Sequence, residues 1–453
     1  MSQCNQRQFA FAPHFSRQVV AGFEDRQLST EGGALLLRET DRKLGLLSRV
    51  VKCFLDHRDP ERIEHPLGEL LAQRIYGLAL GYEDLNDHEE LRRDPLLALL
   101  AGKRSLDEPL AGKSTLNRLE LTPAGSPLED RYHKITYSSE ALDALLVDLF
   151  VEAHQPAPRQ IVLDVDVTDT PLHGEQEARF FHGYYNQYCY LPLYIFCGDH
   201  LLCARQRASN QDASAGSQEE VERIVGQIRQ RWPKVRIILR ADSGFCREEL
   251  MAWCEQHQVE YVLGLARNSR LQRKLARALR QARQKYQRTG QPARVFGEFR
   301  YRTRKSWSRA RRVIAKAEYL EKGENPRFVV TSLATEAWVA QELYEKLFCA
   351  RGEMENRIKE QLSLFSDRMS TETLRANQLR LYFSSLAYVL MHALRRVALA
   401  GTEWAQAQVP TLRLRLLKIA AEVRLSARRI SVRYSKAYPW KHFFTTAWTI
   451  LRC

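Results

Sequence analysis

Apolar residues recur at three- and four-residue spacing through much of the first 150 positions of the chain. This spacing places them on one face of a helix, so it predicts helices over residues 32–55, 67–80, 96–100 and 139–153. Prolines at positions 60, 66, 95, 123 and 127 separate these segments. The first third of the chain is therefore predicted to be mostly helical.

Short runs of β-branched and other apolar residues begin after Pro156 and Pro158 and alternate with helical stretches. They predict strands within residues 160–174 and over 190–197, 201–207, 235–245 and 259–266. Amphipathic spacing predicts helices over 218–232 and 248–256. Hairpin-like strands followed by alternating helices and strands are typical of a mixed α/β sheet.

The pattern changes again after Arg267. A basic helix is predicted over residues 269–288, strand-like runs over 295–302, 311–317 and 327–333, and a long helix over 337–365. At 100° per residue, Arg351 and Glu355 lie at the rim of the apolar stripe of the long helix, which begins at Leu343. Glu355 is therefore predicted to lie beside the face that packs on the sheet.

Two aspartates interrupt the apolar strand within residues 160–174. Asp164 and Asp166 alternate with Val165 and Val167, so both carboxylates project from the same face. A bare carboxylate on a covered sheet face is costly unless a cation compensates it. This strand is therefore predicted to contribute to a metal site.

Asp242, which ends a second buried strand, and Glu355 are the acids that complete such a site. Oxygen ligands favour Mg²⁺, with Mn²⁺ as a substitute, and two such ions can activate a water or a 3′-hydroxyl for attack on a phosphodiester. Arg351 is the candidate for neutralising charge on phosphorus. Taken singly, Asp242 is also explained as a turn or N-cap residue, and Glu355 as a solvated helix residue.

The net charge of +15 is unevenly distributed along the chain. Residues 267–316 contain 18 Lys and Arg against one acid, and residues 371–453 contain 14 against three, so the remainder is net acidic. Such segregation predicts a polyanion-binding surface beside an acidic body, with nucleic acid as the partner. Ordinary solvated basic helices explain residues 270–288 alone but fit the two-block pattern poorly.

Several classes of protein are disfavoured. No secretory signal is visible and no apolar run is long enough for a membrane span, so a cytoplasmic protein is predicted. Nine cysteines without CxxC spacing predict free thiols, and the spacing of Cys189, Cys197 and Cys203 is unlike a zinc site. A nucleotide-binding P-loop ending at Ser114 would require a glycine at position 107, which is Asp107 in this chain, so no nucleotide cofactor is predicted. Ser114 is predicted instead to cap a short helix.

Three segments carry a family resemblance: DVDVTD (164–169), ADSGF (241–245) and FCARGEMENRIKE (348–360). With DRMS (367–370) and NQLR (377–380), they resemble the bacterial insertion-sequence DDE transposases. The branch is the one marked by Y-x2-R-x3-E-x6-K around the last acid, which includes insertion-sequence family thirteen-eighty. The resemblance extends from about residue 31 to residue 396.

The resemblance implies an α/β fold with an RNase H-like catalytic core, formed by residues 156–267 and 335–370. Residues 268–334 would be a basic β-rich insertion, residues 1–155 a helical region that binds DNA ends, and residues 371–453 a basic helical region. The implied catalytic and metal-binding acids are Asp166, Asp242 and Glu355, with Asp164 as a rival for the first. Arg351 matches the arginine that approaches a phosphate near the cut.

Two positions depart from the motif: Phe348 replaces its tyrosine and Leu362 its lysine, so Lys359, one turn away, is the candidate substitute. Relatives in this branch stack a flipped base on a tryptophan of the insertion, which implies that role for Trp307. The alternative is that Trp307 packs in the core of the insertion. The surrounding cations are predicted to contact DNA: Arg304, Lys305, Arg309, Arg311 and Arg312.

The predicted function is cut-and-paste DNA transposition, through binding of the terminal inverted repeats and joining to target DNA, with a hairpinned end as intermediate. A dimer on double-stranded DNA is expected, because two ends must be brought together. Two alternatives stay open: a DNA-binding relic that no longer cuts, favoured by Phe348 and Leu362, and a structure-selective nuclease on the same fold. A ribosome-associated basic protein would leave the acids of the buried strand unexplained.

Overall fold

The computed structural model describes residues 9–21 and 27–452. Its amino-terminal third is mainly helical, with short strands between the helices. The elements are β1 (Phe9–His14), β2 (Arg17–Ala21), β3 (Leu28–Ser29), α1 (Leu35–Leu44), α2 (Leu46–Val51), β4 (Phe54–Asp56), α3 (Leu67–Leu80), α4 (Asp87–Leu91), α5 (Pro95–Ala101), α6 (Lys113–Glu120), β5 (Ile135–Tyr137) and α7 (Ser139–Glu152). Gly112, not Ser114, is the N-cap of α6, so that capping prediction was wrong.

The next segment builds a mixed sheet. Its elements are β6 (Gln160–Val167), β7 (Thr170–Pro171), β8 (Phe180–His182), β9 (Gln187–Tyr190), β10 (Leu193–Cys197), β11 (His200–Arg205), α8 (Ser217–Arg231), β12 (Arg236–Ala241), α9 (Glu248–Gln256) and β13 (Glu260–Leu265). The sheet order is β11-β10-β6-β12-β13; β10 and β11 are antiparallel to their neighbours, whereas β12 and β13 run parallel to β6. The predicted mixed α/β fold is confirmed.

The basic segment continues this sheet. It contains α10 (Ser269–Thr289), β14 (Ala293–Tyr301), β15 (Arg311–Leu320), β16 (Gly323–Glu324) and β17 (Arg327–Thr331). β17 pairs antiparallel with β13, and β15 and β14 follow at the edge. Helix α10 packs against β14 and β15, with Leu271, Leu275 and Leu279 in the core. The basic strands are therefore held in register with the central sheet.

The final segment crosses back over the sheet. It contains α11 (Ala340–Glu342), α12 (Gly352–Leu362), α13 (Leu374–Ala393), α14 (Val409–Leu412), β18 (Ala421–Ser426), β19 (Arg429–Tyr434) and α15 (Lys441–Arg452). The long helix predicted over 337–365 is present as an unbroken helical stretch over 340–362, but it is not a single α-helix, because a π-helical turn (Leu343–Phe348) and a 3-10 turn (Cys349–Arg351) stand between α11 and α12. The carboxyl-terminal region is also not wholly helical, since β18 and β19 form a sheet with β3.

The two faces of the central sheet have different covers. Leu163 and Val165 of β6 point into a core shared with α8, α9 and α10. Val162 lies on the opposite face and packs with Leu343 and Leu347 of the π-helical turn. Residues of β6 alternate between faces, so Asp164 and Asp166 share the second face, as predicted. The segment carrying Arg351 and Glu355 therefore covers the acidic face.

The seven cysteines in the described part of the chain are free. No helix of residues 9–21 and 27–452 is both long and apolar enough to cross a membrane.

Candidate active site

Parallel pairing of β6 and β12 brings two of the predicted acids to one edge of the sheet. Val165 is the register partner of Ala241, so Asp166 and Asp242 follow as neighbours on adjacent strands. Asp242 caps a 3-10 turn (Ser243–Phe245), and its Oδ1 accepts a hydrogen bond from the Gly244 amide at 2.8 Å. The capping role considered for Asp242 is thus real, and it leaves Oδ2 for other partners.

Gly264 of β13 allows the neighbouring strand to approach this turn. A Cβ at position 264 would lie 2.7 Å from the Ser243 amide nitrogen and 3.0 Å from the Asp242 carbonyl carbon. Both contacts are with backbone, which cannot rotate away. A side chain at Gly264 would therefore displace the turn that orients Asp242.

Arg351 connects the sheet to the start of α12. Its Nη1 donates to Asp166 Oδ2 at 2.6 Å, and its Nη2 lies 3.5 Å from Glu355 Oε1. The Asp166 side chain is 14% exposed, whereas that of Glu355 is 54% exposed. The structure thus brings Asp166, Asp242, Arg351 and Glu355 to one region, with the guanidinium between the first and last acids.

Burial and a neighbouring carboxylate together make the charged form of Asp166 unfavourable. Burial raises the pKa of Asp166, Arg351 lowers it and the negative charge of Asp242 raises it again, to a final value of about 6. Oxygen donors under mutual repulsion are the chemistry that suits a divalent cation. In residues 9–21 and 27–452, however, no three His, Cys, Asp or Glu side chains are arranged to hold one, and the Arg351 guanidinium stands between Asp166 and Glu355.

Asp164 has a different environment from Asp166. It is 4% exposed, and both of its oxygens accept hydrogen bonds from Arg240, at 2.5 and 2.7 Å. Arg240 also donates to the carbonyl oxygen of Leu347 at 2.5 Å, which ties the π-helical turn to the sheet. Sequence reasoning missed Arg240, although an arginine within the apolar run of β12, in register with Asp164, was a visible signal.

A cavity of about 620 Å³ opens beside the acids. Asp242 and Arg351 form part of its wall, together with Arg267 and Arg327. Phe348, at the position of the motif tyrosine, also lines it and contacts the Tyr344 ring at 5.6 Å between centroids. The cavity therefore combines cationic and aromatic walls next to the acidic edge.

The predicted DNA-contacting residues differ in how accessible they are. Lys359 on α12 and Arg304 and Lys305 after β14 are exposed. Trp307 is only 4% exposed and packs edge-to-face on Tyr301 at 5.7 Å. Its ring would have to leave this packing before a base could stack on it, which agrees with the core position considered as the alternative.

Three other predicted contacts are engaged with carboxylates. Arg311 forms ion pairs with Glu248 and Glu255, at 2.6 and 2.8 Å. Arg312 pairs with Glu298 at 2.7 Å. Arg309, which is 60% exposed, pairs with Glu255 at 2.7 Å. Their charges are thus partly or wholly neutralised within the protein.

Helix α10 carries cations without such partners. At 100° per residue, its basic residues other than Arg283 fall within roughly 140° of one another, opposite the apolar stripe. This α10 basic face consists of Arg270, Arg273, Lys274, Arg277, Arg280, Lys285 and Arg288. Within the described residues, none of the seven is within ion-pair distance of a carboxylate. Charge density along the sequence does not distinguish this face from the neighbouring cations.

Carboxylates lie at the ends of adjacent strands, an arginine links one of them to Glu355, and a basic helix begins just after Arg267 of the neighbouring cavity wall. This combination suits chemistry on a polyanion. The chain belongs to the family described as Transposase DDE domain group 1, whose model matches residues 11–453. It is therefore a DDE transposase, an enzyme class that cleaves DNA and transfers strands, as the resemblance implied.

One similar solved structure is the cryo-EM structure of the piggyBac transposase synaptic complex with hairpin DNA. It is 10% identical, the match covers 87% of this chain and 83% of that chain, and the TM-score is 0.41. No curated protein matches the chain.

Proposed function

We propose that this transposase binds the terminal inverted repeats of its own element, cuts them and joins them to target DNA. The observation that carries this proposal is the placement of Asp166 and Asp242 on adjacent strand ends, with Glu355 linked to Asp166 through Arg351. Asp166 rather than Asp164 is the proposed first acid, because Arg240 already engages both oxygens of Asp164.

Asp166, Asp242 and Glu355 are the proposed ligands of two Mg²⁺ ions, with Mn²⁺ as a substitute. When bound, such ions activate the attacking water or 3′-hydroxyl and stabilise the leaving oxygen. Arg351 is proposed to transfer its hydrogen bond from Asp166 to a phosphate near the cut. A guanidinium presents five N–H donors in a planar fork, so the same group suits both the carboxylate and the phosphate.

Strand order supports an RNase H-like core, and the spacing of Arg351 and Glu355 supports membership of the Y-x2-R-x3-E-x6-K branch. The order β11-β10-β6-β12-β13 agrees with an RNase H-like core formed by residues 156–267 and 335–370. Arg351 and Glu355 lie one turn apart, as the Y-x2-R-x3-E-x6-K branch and insertion-sequence family thirteen-eighty require. Cut-and-paste transposition through a hairpinned end is the proposed course, with exposed Lys359 serving in place of the motif lysine.

The α10 basic face is the proposed track for duplex DNA. A helix of 21 residues is about 31 Å long, close to one turn of B-form DNA. It begins two residues after Arg267, which lines the cavity beside Asp242. DNA leaving the acidic edge would therefore meet a line of cations that no carboxylate of the described residues neutralises. Residues 1–155 and 371–453 are proposed to hold the ends in a dimer, and the DNA substrate implies a cytoplasmic protein acting at the bacterial nucleoid.

Cleavage of supercoiled plasmid bearing the element's own ends tests the proposal. Wild type should cut at the ends with Mg²⁺ or Mn²⁺, whereas Asp166→Asn, Asp242→Asn and Glu355→Gln should bind the same DNA without cutting it. Glu353→Gln, on the exposed surface of the same helix, is the matched control and should cut. A pre-cut end with a free 3′-hydroxyl should be joined to a second plasmid.

Two results would contradict the proposal. Binding without cutting by wild type, with either metal, would identify a DNA-binding relic. Cutting without joining of the pre-cut end would identify a structure-selective nuclease.

A further inference from the structure

The segment between β6 and β10 carries a concentration of exposed aromatic rings. We call residues 170–190, which contain β7, β8 and β9, the aromatic wing. Four of its rings are unusually exposed: Phe180 at 41%, Phe181 at 53%, Tyr184 at 86% and Tyr188 at 44%. Phe181 and Tyr188 contact each other across the β8-β9 pair at 5.5 Å between centroids, and exposed aromatic surface of this kind is typical of an interaction site.

The wing is held firmly at its base. The Leu172 amide donates to the Tyr188 carbonyl at 2.9 Å, and Ser209 Oγ donates to the Phe180 carbonyl at 2.9 Å. Glu177 joins the wing to the start of α13. Its amide donates to the Glu372 carbonyl just before the helix, and its carboxylate accepts from the amide of Leu374, the first residue of the helix, at 2.8 Å. The rings are thus presented on a preorganised support, which lowers the entropy cost of binding.

The wing lies next to the acidic edge of the sheet. β7 begins four residues after Asp166, and Gln187 of β9 donates a hydrogen bond to the Asp169 carboxylate. Tyr185 of the wing is half-buried, and the negative charges of Asp169 and Asp166 add to burial in raising its pKa. The base of the wing therefore follows directly on the strand that carries Asp166.

The chemistry of the wing favours neutral rings over phosphates as the ligand. Tyr184 contacts Tyr185 edge-to-face at 5.0 Å between centroids and is still 86% exposed, so much of its ring surface is open to solvent. Arg179 is the only Lys or Arg of residues 170–190, and its guanidinium already covers the Tyr188 ring at 3.9 Å. Glu175 and Glu177 make the segment net acidic, so it would repel a phosphate backbone.

We propose that the aromatic wing stacks unpaired bases of the DNA strand that enters or leaves the acidic edge. This rests on the proposed function, because cutting and joining expose single-stranded nucleotides there. Every base has a π-face, so stacking on Tyr184 and Phe181 is independent of sequence. The wing thereby supplies the exposed ring surface that buried Trp307 does not.

Fluorescence anisotropy with the full-length protein tests the proposal. The probes are a blunt duplex of arbitrary sequence and the same duplex with a short unpaired tail containing 2-aminopurine. Wild type should prefer the tailed duplex and quench the 2-aminopurine. Tyr184→Ala combined with Phe181→Ala should weaken tailed-duplex binding about 5- to 100-fold, with blunt-duplex binding retained. Tyr184→Phe alone should keep the preference.

A matched control comes from Tyr132, which is 49% exposed and also carries a guanidinium on its ring. Tyr132→Ala should retain the preference for the tail. Equal binding of both duplexes by wild type would overturn the wing proposal alone, whereas no binding of either would overturn the proposed function as well. Conversion of a dimer to a monomer by the alanine pair, with the tail preference intact, would overturn it in favour of a contact between two copies.

Discussion

The cations of β15 and those of α10 come from one basic segment, yet the structure surrounds them differently. Arg311 and Arg312 are 3% and 6% exposed and form ion pairs with carboxylates. Arg273, Arg277 and Arg280 of the α10 basic face are exposed, and no carboxylate of the described residues is within ion-pair distance. Charge density in a sequence therefore counts cations, but only neighbours in space determine which of them can bind a polyanion.

The difference follows from position in the sheet. β15 lies between β14 and β17, so its outward side chains must be covered, and α9 supplies Glu248 and Glu255 for Arg311. Helix α10 lies at the surface and buries only its apolar stripe. Buried charges require partners, whereas a solvated face does not. The arginines of β15 therefore stabilise the fold, whereas the cations of the α10 basic face remain available to bind a polyanion.

Removing Arg311 should have the largest effect. Arg311→Ala removes the buried guanidinium that Glu248 and Glu255 share, and the Tyr261 hydroxyl and exposed Arg309 do not replace its charge within the core, so it should lower the free energy of unfolding by about 3–5 kcal/mol. Urea titration followed by circular dichroism measures this. Arg309→Ala is the control. The Arg309 side chain is 60% exposed, so its ion pair with Glu255 should contribute about 1 kcal/mol or less. If Arg311→Ala lost DNA binding and kept its stability, the β15 arginines would be DNA contacts and not structural residues.

Neutralising part of the α10 basic face should affect binding and not stability. With Arg273, Arg277 and Arg280 all changed to Gln, the slope of log affinity against log salt should decrease by about 0.9 per lost phosphate contact. The unfolding free energy should change by about 0.5 kcal/mol or less. Affinity for duplex DNA measured over a salt series, beside urea titration, tests both statements.

The matched control removes the same charge from other exposed positions, with Arg231, Lys234 and Lys346 changed to Gln. Equal slopes for the two triple variants would show that net charge alone matters and would remove α10 as the DNA track. Changing Arg304 and Lys305 to Gln adds a third arm, because these exposed residues stay predicted DNA contacts. If the Arg304 and Lys305 variant changes the slope and the α10 variant does not, the loop after β14, and not α10, is the surface that binds DNA.

Local pattern predicted the elements of the fold well where one period continues without interruption. Helix α3 and helix α9 form at the residues that the apolar spacing predicts, and parallel strands account for Asp166 lying beside Asp242. The π-helical turn before Arg351 was not predicted, because Arg240 of a distant strand holds its Leu347 carbonyl. The pairing of Arg311 with α9 and the exposure of the aromatic wing likewise depend on contacts between segments far apart in sequence.

Lowering the pH should have the smallest effect, and it should act on the β15 arginines through their carboxylate partners but not on the α10 basic face. Burial raises the pKa of Glu255, but hydrogen bonds from Arg311, Tyr261 and Arg309 outweigh it and lower the pKa to about 2, against 4.5 for a free glutamate. A carboxyl whose pKa is lower in the folded state stabilises the fold above its unfolded pKa and loses this contribution as pH falls. The Tm difference between wild type and Glu255→Gln should thus shrink from pH 5 towards pH 2. Parallel Tm curves would show that Glu255 is not coupled to Arg311. The cations of the α10 basic face, by contrast, pair with no carboxylate among residues 9–21 and 27–452 through which pH could act.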